Sequence, residues 1–206
     1  MLISELNFRD VYHKIFIIYN SDFSHISDLF ECDENANGLM VYGYIDHEAG
    51  LTYELLSCVR VSDDKSVHIC GGNEEAAYKL RNGSVKDKSA IFLEDTKMYE
   101  KIFADKIAVI NKGYKCSKHI NDTRMLQILD GSRNQDYPDD IMVVLFKEDF
   151  QPEGCWVRCS RLGDNCIIGS LLNEPYQDFS VHINSEIEFN IMKNDDGSFM
   201  CVSVIE

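Results

Sequence analysis

From residue 140 to the C-terminus the chain alternates short apolar segments with polar turns. The segments are DIMVVLFK, CWVRCSR, CIIGSLL, HINSEIEFNIM and SFMCVSVIE; the turns are EDFQPEG, LGDN, NEPYQDFS and KNDDG. Each segment is too short to bury itself, and alternation gives it one face to cover. Five such strands at regular spacing predict a small antiparallel barrel or a strongly bent sheet. The NEPYQDFS turn is the most informative. Gly169 permits close strand approach or a bend, and Leu171 and Leu172 finish a strand. Pro175 cannot donate to a ladder, so it ends the pairing and holds Glu174 extended. Tyr176 and Phe179 are then expected to fold back over the open end of the barrel. Val181, Ile183, Ile187 and Phe189 resume the core. Asn173, Glu174 and His182 remain as polar groups at the rim and are binding-site candidates.

The N-terminal half has a different texture. KIFIIY (14–19) reads as a buried strand. In SDFSHISDLFE, Phe23, Ile26, Leu29 and Phe30 recur at helical spacing behind a Ser21 or Asp22 cap. LMVYGYID and LTYELLSCVRV flank HEAG (47–50) as a hairpin, and SVHIC follows DDKS as a further strand. NEEAAYKLRNG reads as a short helix from Asn73 to the stop at Gly83. AIFLED (90–95) reads as a strand. TKMYEKIFADK reads as a helix with Met98, Ile102 and Phe103 on one face, and IAVINKGY as a strand. NDTRMLQILDG reads as a helix capped by Asn121 or Asp122. These elements predict an α+β chain: a mixed sheet with short helices over residues 1–115, and a mostly β module over 116–206. A soft boundary is expected within 113–122.

The 206 residues are 45% hydrophobic and 27% charged, which excludes a disordered chain. The formal net charge is −15. Acidic pairs (Asp63-Asp64, Glu74-Glu75, Asp139-Asp140, Asp195-Asp196) run along the chain without a basic cluster to offset them. A phosphate backbone or an anionic membrane surface would be repelled, so neither nucleic acid nor membrane is expected as a partner. A basic protein would be attracted. MLISELNFRD has neither a basic n-region nor an apolar h-region, which predicts a cytoplasmic protein. Its 8 cysteines then read as thiols.

Chemistry-bearing residues are sparse. Cys155, Val157 and Cys159 share one strand face, and without two Cys-x-x-Cys or Cys/His pairs they read as buried thiols; no metal or other cofactor is expected. Trp156 and Arg158 occupy the opposite face, and these types are enriched in binding hot spots. The plainer reading packs Trp156 on the upstream half and pairs Arg158 with a local acid. YPDD (137–140) offers two carboxylates for a hard cation, or a strand entry fixed by Pro138 with two acids covering an edge. His119 and His182 lie beside polar loops. Asp178, Glu174, Ser180 and the cysteines are available to them, but no nucleophile or phosphate-loop motif ties these groups together.

The run from Asp136 to Phe189 resembles a family of bacterial domains of unknown function. The residues that carry the resemblance are Pro138–Asp140, Trp156-Val157, Gly163-Asp164, Gly169–Pro175 and His182–Phe189. They cover the last third of the chain. Where the family commonly has Gly-Asp, this chain has Asn184-Ser185. Domains similar to these occur among the immunity proteins of bacterial toxin systems. The resemblance implies binding, and the acidic charge makes a basic toxin domain the expected partner. Two other readings stay open: an enzyme acting on a small or peptide substrate at the Glu174/His182 rim, and a structural or regulatory interaction module.

Overall fold

The computed structural model describes residues 1–19, 30–73 and 75–206. The fold is α+β, in two compact units, Met1–Lys115 and Cys116–Glu206.

The first unit opens with a 3-10 turn (Ile3–Glu5) and a single helical turn, α1 (Phe8–Val11). Asn7 caps α1, its side chain accepting the Arg9 N–H at 3.0 Å. Six strands follow: β1 (Ile15–Tyr19), β2 (Gly38–Asp46), β3 (Gly50–Val61), β4 (Val67–Gly71), β5 (Lys79–Arg81) and β6 (Ser89–Ile91). They form one sheet in the order β4-β3-β2-β1-β6, with β5 paired to the other end of β3. Every pair is antiparallel, where the sequence suggested a mixed sheet. The β2–β3 hairpin explains why: Asp46 accepts the N–H groups of Glu48 and Ala49, both at 3.1 Å, and Gly50 takes φ 83°. Such a turn reverses the chain with no crossover. Helices α2 (Lys97–Ile102) and α3 (Ala104–Gly113) complete the unit.

The central strands of this sheet are buried on both faces, so they read as continuous apolar runs. Phe16, Ile18, Leu39, Val41, Tyr53 and Leu55 pack with Ile3, Phe8 and Phe30 on one side. Ile15, Ile17, Met40, Tyr42, Tyr44 and Leu56 pack with Tyr99, Phe103 and Ile110 on the other.

Several local expectations change. IAVINKGY is helix, not strand: Ile107, Ile110 and Tyr114 recur at helical spacing against the sheet, while Val109 is exposed. In the described part of NEEAAYKLRNG the order is reversed. Ala76, Tyr78 and Leu80 alternate onto the first core face, and Lys79–Arg81 is a strand. AIFLED supplies strand only at its start. On α2, Tyr99 and Phe103 face the core, and Met98 and Ile102 face solvent. The helix expected over SDFSHISDLFE falls mostly outside the described residues. The reading of every cysteine as a thiol is also corrected: Cys32 and Cys58 form a disulfide, with Cα atoms 5.7 Å apart. A separation of 26 residues hid the pair. Gly71 pairs with Cys58 across β3 and β4, and a Cβ on it would lie 2.8 Å from the Cys32 Cα. Glycine there lets the two segments meet.

The second unit begins with α4 (Lys118–Met125), capped by Ser117 rather than by Asn121 or Asp122, and a 3-10 turn (Gln127–Ser132). Then come β7 (Asp140–Phe146), β8 (Glu153–Leu162), β9 (Ile167–Leu171), β10 (Glu186–Lys193) and β11 (Phe199–Val204). These five strands close into a barrel in sequence order, each antiparallel to the next, and β11 pairs with β7 in parallel. An odd number of alternating strands leaves the first and last running the same way, so closure requires one parallel pair. Cys155, Val157 and Cys159 point inward and are buried, together with Ile141, Val143, Leu145, Phe189 and Cys201. Burial pushes the Cys159 thiol up to about 12, as expected for an inert structural thiol. Among the described residues no helix is long and apolar enough to cross a membrane.

Candidate functional site

The 172–185 loop joins β9 to β10 and closes one end of the barrel. Phe179 is wholly buried, its ring 5.5 Å from that of Phe150. Tyr176 does not fold back with it: this ring is 98% exposed. The difference follows from chemistry, since Phe179 has no hydroxyl to keep in water. Pro175 is buried beside it.

Hydrogen bonds fix this lid along its length. The Glu153 carboxylate accepts the backbone N–H groups of Tyr176 (2.6 Å) and Gln177 (3.2 Å). Gln177 pairs with the Gln151 backbone in both directions, at 2.8 and 3.2 Å. The Lys147 ammonium donates to Ser180 Oγ at 2.7 Å. Asn184 takes φ 68°, a left-handed conformation that Asn tolerates better than most residues.

The sequence candidates fall into three environments. Asn173 caps the strand end: its Oδ1 accepts the Trp156 N–H at 2.8 Å, and its Nδ2 donates to Cys155 Sγ at 3.5 Å. Glu174 and His182 meet at 2.6 Å, and the second Glu174 oxygen accepts the Ile183 N–H at 2.9 Å. Both side chains are exposed. The Ile183 amide and then His182 hold the Glu174 carboxyl below its ordinary value. Glu174 in turn raises the His182 imidazole above its own. Both oxygens of Glu174 are thus occupied in latching one side of the lid to the other. Trp156 and Arg158 lie on the outer face of β8, half-buried. Arg158 makes a two-pronged ion pair with Asp140, at 2.7 and 3.0 Å. His119 is exposed on α4.

The YPDD carboxylates are neither a cation site nor an edge cover. Asp139 is 2% exposed and bound bidentately by the fully buried Arg124, at 2.8 and 2.7 Å. Asp140 belongs to Arg158. Among the described residues no group of three or more His, Cys, Asp or Glu is placed to hold a metal ion.

The sequence reading missed the polar groups under α3 in the first unit. His13 Nδ1 lies 2.9 Å from the Tyr42 hydroxyl, which donates to Asn111 Oδ1 at 3.0 Å. The Tyr44 ring lies tilted against that of Tyr114, centroids 4.3 Å apart, and its hydroxyl donates to Glu54 at 3.2 Å. The one available signal was an acid, Glu54, within the largely apolar run of β3.

Compared with protein-family models, curated proteins and solved structures, the chain matches none of them.

Proposed function

We propose that this chain is a binding protein, of the kind that neutralises a toxin by covering it. Its contact face is the lidded end of the barrel, and its partner is a basic protein domain. The observation that carries this reading is Tyr176, an aromatic ring held almost entirely in water by a loop whose backbone is fixed. An exposed aromatic on a preordered loop binds without first paying to order that loop. Charge supports the partner class. The lid and the adjoining 147–153 turn bring together Glu148, Asp149, Glu153, Glu174 and Asp178 against Lys147 and His182, on a chain of net charge −15.

The test is capture from the native host's lysate by tagged wild-type chain and by Tyr176→Ala, at low and high salt. A basic partner held at low salt and weakened at high salt is expected. Tyr176→Ala should lower its affinity by about 30-fold, the scale of a hot-spot residue. Capture indifferent to salt and to Tyr176 would refute the proposal, as would the absence of any partner.

A further inference from the structure

The first unit contains a pocket of about 310 Å³ between β3, residues 75–77, α2 and α3. Its walls are largely apolar, with Leu56, Phe103 and Ile110 among them. Its floor is not. Glu54 lines it, and this residue is only 3% exposed. One carboxylate oxygen accepts the Tyr44 hydroxyl at 3.2 Å. Among the described residues no other hydrogen bond reaches the Glu54 carboxylate. An ionised carboxylate accepts about four hydrogen bonds, and a buried one with a single donor is costly, so burial pushes the Glu54 carboxyl above its ordinary value. The fold therefore keeps a buried carboxyl group with unmet hydrogen-bonding capacity on the lining of this pocket, and a cationic donor there would restore its charged form.

The remaining charges at the pocket select the sign of an occupant. Glu75 and Asp105 join Glu54 on its lining, against Lys106. The Lys106 ammonium is turned to backbone carbonyls, Ala76 O at 2.8 Å and Asn73 O at 3.4 Å. Two further bases, Lys79 and Arg81 on β5, also act on Glu54. They too have partners: Lys79 donates to the Tyr114 hydroxyl at 2.7 Å, and Arg81 pairs with Asp46 at 3.4 Å. An anion would face three carboxylates, and a neutral hydrocarbon would leave Glu54 unsatisfied. An ammonium group satisfies Glu54 while its carbon skeleton fills the apolar walls. The volume lies at the small end of ligand pockets, roughly 300–1,000 Å³, so the skeleton is compact.

We infer that this pocket binds a small alkyl- or aralkylammonium, with its nitrogen donating to Glu54 and its carbon body against Leu56, Phe103 and Ile110. The same chemistry is carried by a free amine and by a lysine side chain presented by another protein. Titration calorimetry of the full chain separates them, with phenethylamine as the free amine, a short lysine-containing peptide as the presented one, and phenylacetate as the anionic counterpart. At least one amine probe should bind with 1:1 stoichiometry and phenylacetate should not; whichever amine binds more tightly identifies the source. Glu54→Gln keeps the size of the side chain and an oxygen for Tyr44, and should weaken amine binding at least tenfold, as loss of a charge-assisted bond does. Val109→Trp, at an exposed position on the pocket lining, should block binding without touching the core; it keeps the test decisive if Glu54→Gln misfolds. Failure of both amines to bind, phenylacetate binding as tightly, or amine binding unchanged in a folded variant would overturn the inference. None of these outcomes bears on the Tyr176 face, which lies in the other unit.

Discussion

Replacing Asp139 by Asn should destabilise the barrel more than removal of any surface ion pair. Arg124 is fully buried and Asp139 nearly so, and two short bonds join them. Asn leaves the guanidinium in place without its counter-charge. An uncompensated buried charge of this kind costs about 3–5 kcal/mol. A unit of about 90 residues is stable by only about 5–14 kcal/mol. At 4–8 °C per kcal/mol for a domain this size, the midpoint should fall by roughly 12–40 °C. Trp156 is the single tryptophan and sits on β8, so its fluorescence during thermal or urea unfolding reports this unit. Glu186→Gln is the control. Arg161 and Glu186 have the same two-pronged geometry, both bonds at 2.8 Å, but both side chains are about half exposed. Solvent screens that pair, and its loss should leave the midpoint within scatter. The double variant Arg124→Met with Asp139→Leu should cost less than Asp139→Asn alone, because no charge is stranded. If Asp139→Asn and Glu186→Gln shift the midpoint equally, burial does not decide the outcome and the reasoning fails.

Three further outcomes are expected. Phe179→Ala should cost about 3–5 kcal/mol by opening a cavity under the lid, whereas Tyr176→Ala should leave the Trp156-reported midpoint unchanged; equal effects would mean the two rings are not divided between core and water. A Cβ on Gly169 falls onto the Arg158 carbonyl oxygen and within 2.7 Å of Val157 Cγ1, so Gly169→Ala should cost about 1–3 kcal/mol. Gly113, at the end of α3, has nothing within 4 Å of a Cβ, and Gly113→Ala should be neutral or gain up to about 1 kcal/mol; chemical denaturation orders the two. The lid latch should depend on pH from both sides. His182 is raised, so its contribution is full below the ordinary imidazole value and fades as pH rises through the folded-state value. Glu174 is lowered, so its contribution is full above the ordinary carboxyl value and fades as pH falls through the folded-state value. NMR titration should find His182 above its ordinary value, and Glu174→Gln should bring it back; an unmoved titration would remove the latch.

Strands were legible where one physical demand dominated. IFIIY and LTYELLSCVRV declare themselves because both faces of their sheet are covered, and the five barrel strands do so through alternation and turns. IAVINKGY was misread because Ile, Val and Tyr favour strands, while its burial follows 107, 110 and 114, a helical period that only packing against Tyr44 and Ile15 makes decisive. NEEAAYKLRNG was misread for the opposite reason. Its helix formers were overridden by an edge on β3 that needed a partner, and Ala76, Tyr78 and Leu80 alternate onto that edge. Neither override can be seen locally, because each depends on a surface built by residues far along the chain. Glu54 is similar: as a letter it is one acid among 35 Asp and Glu, and only the sheet places it beneath α3.

The lid shows why site residues are harder to read than strands. From sequence, Asn173, Glu174 and His182 read as polar groups at the rim and Tyr176 as part of the cover. The structure gives the polar side chains partners within the loop and leaves Tyr176 outside the cover. The polar side chains are spent on the backbone, because a loop crossing a barrel mouth carries N–H groups that neither the ladder nor the core can satisfy. Glu153, Asn173 and Glu174 supply the acceptors. Once they do, the loop conformation is fixed and only one of its two rings can point inward. Burial of the tyrosine would strand a hydroxyl, so the phenylalanine goes in and the tyrosine stays in water. Polarity at this rim therefore marks the residues that hold the loop, and the ring left in water is the one whose hydroxyl burial would strand.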